Sequence, residues 1–320
     1  MKRIGVLTSG GDSPGMNACL RAIVRMSAYL KIEVFGVERG FEGLIYGDIH
    51  EIGPRDVSDT IQRGGTIIRT ARSEAFQTPE GFGRALDMLN TFKIDGLVVI
   101  GGNGSMAGAY DLSKAGVKVI FLPASIDNDL AYTDFAIGFD TAVNTALHAI
   151  SNIRDTSAAH ERVTIIEVMG RECGDIAVYA GLTGGAEIIL IPEKPIDLNE
   201  ICRSLIESRN KGKRSSIIVM AEGLDIDPRE LSDFIVEKTD LDVKVVILGY
   251  VQRGGTPTAK DRLLASELGA KAAELLRRDI HGFALGFTNG KIISKDLGEA
   301  VNMVKGDISQ LYDLAKILAL

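Results

Sequence analysis

Two carboxylates, Asp127 and Asp129, stand in the stretch Pro123-Ala124-Ser125-Ile126-Asp127-Asn128-Asp129, directly after the apolar run Val117–Leu122. Such a run reads as a buried parallel strand, so the acids occupy the loop that leaves its end. A second apolar run, Leu97–Ile100, ends in Gly101-Gly102-Asn103-Gly104-Ser105 before a helical pattern begins. Bare backbone amides in that arrangement can meet a phosphate. Acids beside a phosphate cradle suit phosphoryl transfer with Mg²⁺. One aspartate accepts the proton of an attacking hydroxyl and a second holds the metal, while arginines and N–H groups stabilise the phosphoryl oxygens. Asp127 and Asp129 are the natural pair, with Arg72, Arg162 and Arg171 as candidate anion clamps. The alternative is that both aspartates cap a helix or shape a turn. None of His50, His148, His160 and His281 lies in a glycine-rich turn, which argues against a Ser-His-Asp or Cys-His machine.

The elements that must position these groups alternate short apolar runs with amphipathic segments, the pattern of a parallel sheet wrapped by helices. Arg3–Thr8 is expected as the first strand, followed by the glycine-rich turn Ser9-Gly10-Gly11-Asp12-Ser13-Pro14-Gly15 and a helix over Met16–Leu30. Ile32–Val37 is the next strand, and the segment to Asp56 reads as irregular, with a turn at Gly40-Phe41-Glu42-Gly43. Thr78 as N-cap and Pro79 at the first helical position announce a helix to about Lys93. Further helices are expected over Met106–Ala115, Asp140–Asp155, Leu198–Asn210, Pro228–Lys238, Asp261–Arg278 and Ile308–Leu320. Val163–Val168, Glu187–Ile191, Ser216–Ala221 and Val243–Leu248 read as buried strands. Asn289-Gly290 marks a hairpin between Phe283–Thr288 and Lys291–Ser294.

With 320 residues, 45% of them hydrophobic, the chain can bury a core large enough for two domains. A net charge of -7 argues against a nucleic-acid partner, so any anion site must be local. Lys211-Gly212-Lys213-Arg214 is the one dense basic cluster. Cys19, Cys173 and Cys202 are widely spaced in apolar or helical pattern and read as reduced cytoplasmic thiols. The N-terminal run suits a first strand better than a signal peptide, and no run reaches the length of a membrane span.

Four motifs then carry a resemblance. Thr8-Ser9-Gly10-Gly11-Asp12-Ser13-Pro14-Gly15-Met16-Asn17-Ala18, Ile126-Asp127-Asn128-Asp129, Val168-Met169-Gly170-Arg171 and Gln252-Arg253-Gly254-Gly255-Thr256-Pro257-Thr258 together resemble the bacterial ATP-dependent 6-phosphofructokinases. The likeness runs from the first strand to the last helix. It implies two similar three-layer α/β/α domains with mainly parallel sheets and the active site in the cleft between them. Residues 1–138 plus 253–305 would bind nucleotide, and 139–252 plus 306–320 would bind sugar phosphate. The implied reaction moves the γ-phosphoryl group of ATP to the 1-hydroxyl of fructose 6-phosphate, with Mg²⁺, in glycolysis.

Residue by residue, the resemblance makes Asp127 the general base with Ser125 beside it, and gives Arg171 transition-state charge. Gly11, Arg72, Ser73, Gly102, Asn103, Gly104, Ser105 and Gly108 would contact ATP, and Asn103 and Asp129 would lie on the metal side. Met169, Gly170, Glu222, Lys244 and Tyr250 would hold the sugar phosphate, with Arg162 and Arg253 on its 6-phosphate and Arg162 reaching in from a neighbouring subunit. A homotetramer is implied, with an effector site for ADP or phosphoenolpyruvate matched by Arg21, Arg25, Asp59, Arg154, Gly185, Glu187, Lys211, Lys213 and Arg214. Six cations against Asp59 and Glu187 leave that site in positive excess. Pyrophosphate-using relatives carry an aspartate at Gly104 and a lysine at Ala124, so the small residues here imply nucleotide use.

The chain also departs from the family pattern. Asn103 replaces an aspartate, Ala124-Ser125 a glycine-threonine pair, Lys244 an arginine and Tyr250 a histidine; Phe41 replaces a common tyrosine. These departures leave two alternatives open: a catalytically weakened regulatory paralogue, and a kinase for a different sugar phosphate.

Overall fold

Strand runs too apolar to tolerate water on either face dictate the architecture, because each must be covered by helices on both sides. In chain order the elements are β1 (Arg3–Ser9), α1 (Met16–Tyr29), β2 (Glu33–Val37), α2 (Gly40–Tyr46), β3 (Ile49–Glu51), α3 (Pro79–Thr91), β4 (Gly96–Gly101), α4 (Asn103–Lys114), β5 (Val119–Pro123) and α5 (Phe139–Ala159). They continue with β6 (Val163–Val168), α6 (Asp175–Thr183), β7 (Ile188–Leu190), α7 (Leu198–Asn210), β8 (Ser216–Ala221), α8 (Pro228–Thr239), β9 (Val243–Ile247), α9 (Ala259–Arg277), β10 (Phe283–Thr288), β11 (Lys291–Asp296), α10 (Leu297–Val301) and α11 (Ser309–Leu318). The structure, a computed structural model, describes residues 1–306 and 308–319. It divides into one unit of Met1–Thr141 with Arg253–Lys305 and another of Ala142–Gln252 with Gly306–Leu320.

The first unit holds the sheet β11-β10-β5-β4-β1-β2-β3. Its centre is parallel, and β3 and β11 close the two edges antiparallel. The period-2 alternation of a strand splits the apolar residues between two cores. Ile4, Val6, Val98, Ile100, Ile120 and Leu122 face α1 and α9, and Leu7, Leu97, Val99, Val119 and Phe121 face α2, α3 and α4. Cys19 is buried in the first of these cores, and burial pushes its thiol far above the ordinary range. The second unit is built on the all-parallel sheet β7-β8-β6-β9. Ile165, Ile218 and Met220 pack there against Ile201 and Leu205 of α7 and Leu231 and Ile235 of α8.

Several expectations are met in detail. Thr78 caps α3 by accepting from Gly81 N–H, and Asn289 and Gly290, at φ 52° and 76°, make the turn between β10 and β11. Five readings need correction. The stretch taken as irregular contains α2 and β3: Phe41, Leu44 and Ile45 bury one helical face, and that packing overrides two glycines of poor propensity. Helix α6 was not foreseen, because Ile176, Ala177, Val178 and Ala180 are all buried and a helix apolar all round shows no amphipathic period. Nor was α10, a short helix that Asp296 caps through Gly298 and Glu299 N–H groups. Strand β9 is a sheet edge, with Lys244 and Ile247 exposed, and not a buried strand. Helix α4 starts at Asn103, three residues before the expected Met106, which puts Gly104 and Ser105 inside its first turn. Leu320, expected to end the last helix, lies outside the described residues, as does Asp307.

Candidate active site

In the first unit, β1, β4 and β5 are parallel neighbours, with Ser9 beside Gly101 and Gly101 beside Pro123. Their carboxyl-end loops therefore leave from one edge of the sheet, where open α/β folds bind ligands. That edge gathers Gly11, the Gly102–Ser105 turn and the loop carrying Ser125, Asp127 and Asp129.

The Asp127–Asp129 loop is held mainly by its middle residue. Asn128, in the left-handed region at φ 55°, donates to the carbonyl of Asp134 at 3.0 Å and accepts from Ala136 N–H at 2.9 Å. Lys305 donates from its ammonium to the Asn128 carbonyl. Asn128 thus shapes the turn between the two aspartates. Ser125 Oγ accepts from Asp127 N–H at 3.2 Å and donates to Asp129 Oδ1 at 3.4 Å. Asp127 is buried, at 5% exposure. Asn103 Nδ2 donates to the Asp129 carbonyl at 3.3 Å, so the two residues expected on the metal side are adjacent.

Gly102 precedes α4 and offers no side chain to its first-turn amides, which leaves those N–H groups for an anion. Facing this, the Arg253 guanidinium lies against the Gly11 turn, where a β-carbon on Gly11 would come 2.7 Å from its Nη2. Arg253 pairs with Asp12 at 2.9 Å. It therefore belongs, within this unit, to the glycine-rich turn. The loop bearing Arg72 and Ser73 is tied to that turn by Thr70, whose hydroxyl donates to the Gly10 carbonyl at 2.9 Å. Ser73 donates to Glu42 at 2.5 Å, and Arg72 is exposed. Phe41 and Phe76 stack at 4.2 Å and 17°, and a β-carbon on Gly108 would come within 2.8 Å of the Phe41 ring. Gly108 thus opens room for this aromatic pair. Phe76 was invisible in the sequence because its ring partner lies in a helix not foreseen.

In the second unit, β6 and β8 are parallel with Val168 beside Ala221, which sets Met169, Gly170 and Arg171 next to Glu222. Glu222 accepts from Arg171 N–H at 3.0 Å, and Gln252 accepts from Met169 N–H at 3.3 Å. Glu167 beneath them is pushed up by burial and by the charges of Glu222 and Asp227. Tyr250, at the same carboxyl end of the sheet, is 76% exposed. Arg162 and Lys244 do not join this group. They precede or open β6 and β9 at the opposite sheet edge, where both contact Asp242, Arg162 through Nε at 2.5 Å and Lys244 through Nζ at 2.8 Å. The hydrogen bond from Lys244 and the neighbouring charge of Arg162 hold the Asp242 carboxyl below its usual range. Six residues of β6 separate the two groups, roughly 20 Å of strand.

The residues expected at an effector site are divided between the units. In the second, buried Glu187 accepts from Arg154 at 3.3 Å, Lys213 at 2.7 Å and Ile217 N–H at 2.5 Å. Arg154 also donates to the Gly184 and Gly185 carbonyls, and Arg214 pairs with Glu161 at 3.1 Å. The expected positive excess is therefore smaller than the sequence count, because Glu161, which that count left out, pairs with Arg214. Lys211 is exposed at the end of α7. In the first unit, Arg21 and Arg25 lie one turn apart on α1, and Asp59 adopts φ 53°.

Among the described residues no group of three or more His, Cys, Asp or Glu could hold a metal, and no helix is long and apolar enough to cross a membrane. One carboxylate and one amide, Asp129 and Asn103, suit an ion held mainly by a nucleotide's phosphates, the usual habit of Mg²⁺.

Parallel sheets with a glycine cradle and paired aspartates at one strand-end edge define an α/β protein of the phosphate-binding class. Comparison narrows the class. The phosphofructokinase family matches residues 3–276, and the chain belongs to that family. It is 52% identical over 320 residues to an ATP-dependent 6-phosphofructokinase of Alkaliphilus metalliredigens, covering 100% of both chains. It is 51% identical over 319 residues to a protein of the same description from Clostridium botulinum strain Hall, again covering 100% of both. Among solved structures it resembles phosphofructokinase from Saccharomyces cerevisiae, with a TM-score of 0.89, 35% identity and coverage of 100% of this chain but 48% of that one.

Proposed function

We propose that the chain is an ATP-dependent 6-phosphofructokinase, which transfers the γ-phosphoryl group of ATP to the 1-hydroxyl of fructose 6-phosphate in cytoplasmic glycolysis. The observation that carries this is the buried Asp127 carboxylate, on a loop braced by Asn128 and Lys305, beside the uncapped start of α4. Two full-length relatives of 52% and 51% identity bear that description. Asp127 takes the proton of the sugar's 1-hydroxyl as it attacks, and Ser125 steadies the loop through Asp127 N–H. Gly11, Gly102, Gly104, Ser105 and Arg72 receive the nucleotide phosphates through N–H groups and one guanidinium, with Ser73 and Gly108 beside them. Arg171 bears charge that develops on the phosphoryl oxygens, and Met169, Gly170, Glu222 and Tyr250 hold the sugar. Mg²⁺ bound with ATP, near Asp129 and Asn103, neutralises phosphate charge.

The unit of Met1–Thr141 and Arg253–Lys305 is then the nucleotide-binding domain, and the other unit the sugar-phosphate domain. Arg162 and Lys244 stand at the far edge of β6 from Met169–Arg171, which supports their serving a second copy of the chain, with Arg253 acting from the first unit. An oligomer, a tetramer in this reading, follows from that split. ADP or phosphoenolpyruvate is the effector at the Glu187 cluster. A coupled assay with fructose 6-phosphate, Mg²⁺ and either ATP or pyrophosphate tests the whole proposal; turnover with ATP alone is expected, and turnover with pyrophosphate alone overturns it.

A further inference from the structure

The parallel register of β6 and β9 sets Val163 beside Val243 and Thr164 beside Lys244, so Asp242 and Arg162 flank each other just before the two strands begin. Asp242 Oδ2 lies 2.5 Å from Arg162 Nε and its Oδ1 lies 2.8 Å from Lys244 Nζ, so one carboxylate spans two cations. The contact with arginine is close but misdirected. Arg162 Nε is buried and has no acceptor along its N–H direction. The other acid beside Arg162, Glu161, is engaged by Arg214. The Asp242 side chain is 46% exposed, and ion pairs this accessible to water are weak enough to exchange.

We propose that Asp242 is a built-in competitor for the phosphate of the sugar substrate, occupying Arg162 and Lys244 until a phosphate dianion displaces it. This rests on the reading of those two residues as 6-phosphate ligands. Without Asp242, two cations would face each other with no anion between them, and such a pair binds any anion tightly. With it, an incoming group must offer more than one carboxylate does. A phosphate dianion brings twice the charge and oxygens in several directions, including the one that Arg162 Nε lacks. A monoanion merely exchanges like for like. Asp242 thereby lowers affinity for the substrate and sharpens discrimination in favour of dianionic phosphate. It does so without touching the reacting atoms, as a specificity-setting residue.

The test uses the full-length enzyme with Asp242→Asn, Asp242→Ser and, as a control on the reading, Lys244→Met. Each is checked for an unchanged melting temperature. Both Asp242 variants are expected to lower the KM for fructose 6-phosphate by about three- to tenfold, the range of one or two exposed ion pairs, with kcat and the KM for ATP unchanged. Sulfate, competing with fructose 6-phosphate, should inhibit them at correspondingly lower concentration. Lys244→Met should raise the KM for the sugar phosphate. If Lys244→Met raises it while the Asp242 variants leave it unchanged or raise it too, Asp242 is a scaffold and the competitor proposal is wrong. If Lys244→Met has no effect on KM, the phosphate-ligand reading has failed and the proposal falls with it.

Discussion

Asp261 accepts from both the backbone N–H and the hydroxyl of Thr141, at 2.8 Å and 2.5 Å, while its other oxygen accepts from Gly138 N–H at 2.9 Å. The carboxylate is 1% exposed, so removing it strands two buried backbone donors. Asp261→Ala should destabilise the protein by at least about 2 kcal/mol, measured by urea unfolding. Burial pushes the carboxyl up, the Thr141 and Gly138 hydrogen bonds pull it back, and the Asp140 charge adds to the rise. A raised folded pKa means the folded state keeps its proton to higher pH than the unfolded one. The contribution of Asp261 is then fullest below about pH 3.9 and fades as pH climbs through the folded value. The Tm advantage of wild type over Asp261→Asn should therefore shrink as pH rises from about 4 to 7, and an advantage that widens over that range contradicts the sign.

Asp127→Ala should lower kcat by roughly 10²–10⁴-fold with little change in ATP binding, the usual size of a lost proton acceptor. Asn128 makes the bonds to Asp134 and Ala136, and the fold of the variant is checked by its melting temperature. An unchanged kcat in folded protein removes Asp127 from the mechanism.

Asn103→Asp adds a negative charge at the start of α4, which the helix dipole favours, and gives up the hydrogen bond to the Asp129 carbonyl. At about 4 Å and an effective dielectric near 20, each unit charge on a metal interacts with a carboxylate by roughly 4 kcal/mol before desolvation is subtracted. A quarter of that corresponds to about fivefold. The Mg²⁺ concentration giving half-maximal rate, measured at saturating ATP and fructose 6-phosphate, should fall by at least that factor. No change would mark the amide as an equivalent neighbour of Asp129.

Calorimetry with ADP or phosphoenolpyruvate should detect binding that weakens as salt is raised through 0.1 M, where the Debye length is about 10 Å. Lys213→Met should weaken it further, because Glu187 would then draw Arg154 alone. Absence of heat from wild-type protein would argue that Glu187 only braces Ile217 and the surrounding turn.

The sequence was most readable where local chemistry decides structure. Val163–Val168, Leu198–Asn210 and Ser216–Ala221 fall where apolar period and capping place them, and the Asp127 loop was identified from its strand. Tertiary burial hid the rest. Helix α2 is held by Phe41 and Leu44 against a core that no local window contains, and the stacking of Phe41 on Phe76 depends on that helix. Lys305 and Asp242 carried no signal at all. Their partners lie far away in the chain or across a strand pair, and only the register reveals them.

Strand β6 acts as a ruler. Because Arg162 stands before it and Arg171 after it, a chain damaged at one end keeps the other end intact. On the proposed reading, in which Arg162 serves the site of a second copy, a variant lacking Arg162 and one lacking Arg171 should rescue each other when unfolded together and reassembled as mixed oligomers. In each mixed pair, one shared site receives its arginine from either side undamaged, while its twin inherits both defects. Genetic dominance follows the same arithmetic: a copy lacking Arg162 would disable sites on neighbours whose own sequence is sound, while a copy lacking Arg171 would disable its own.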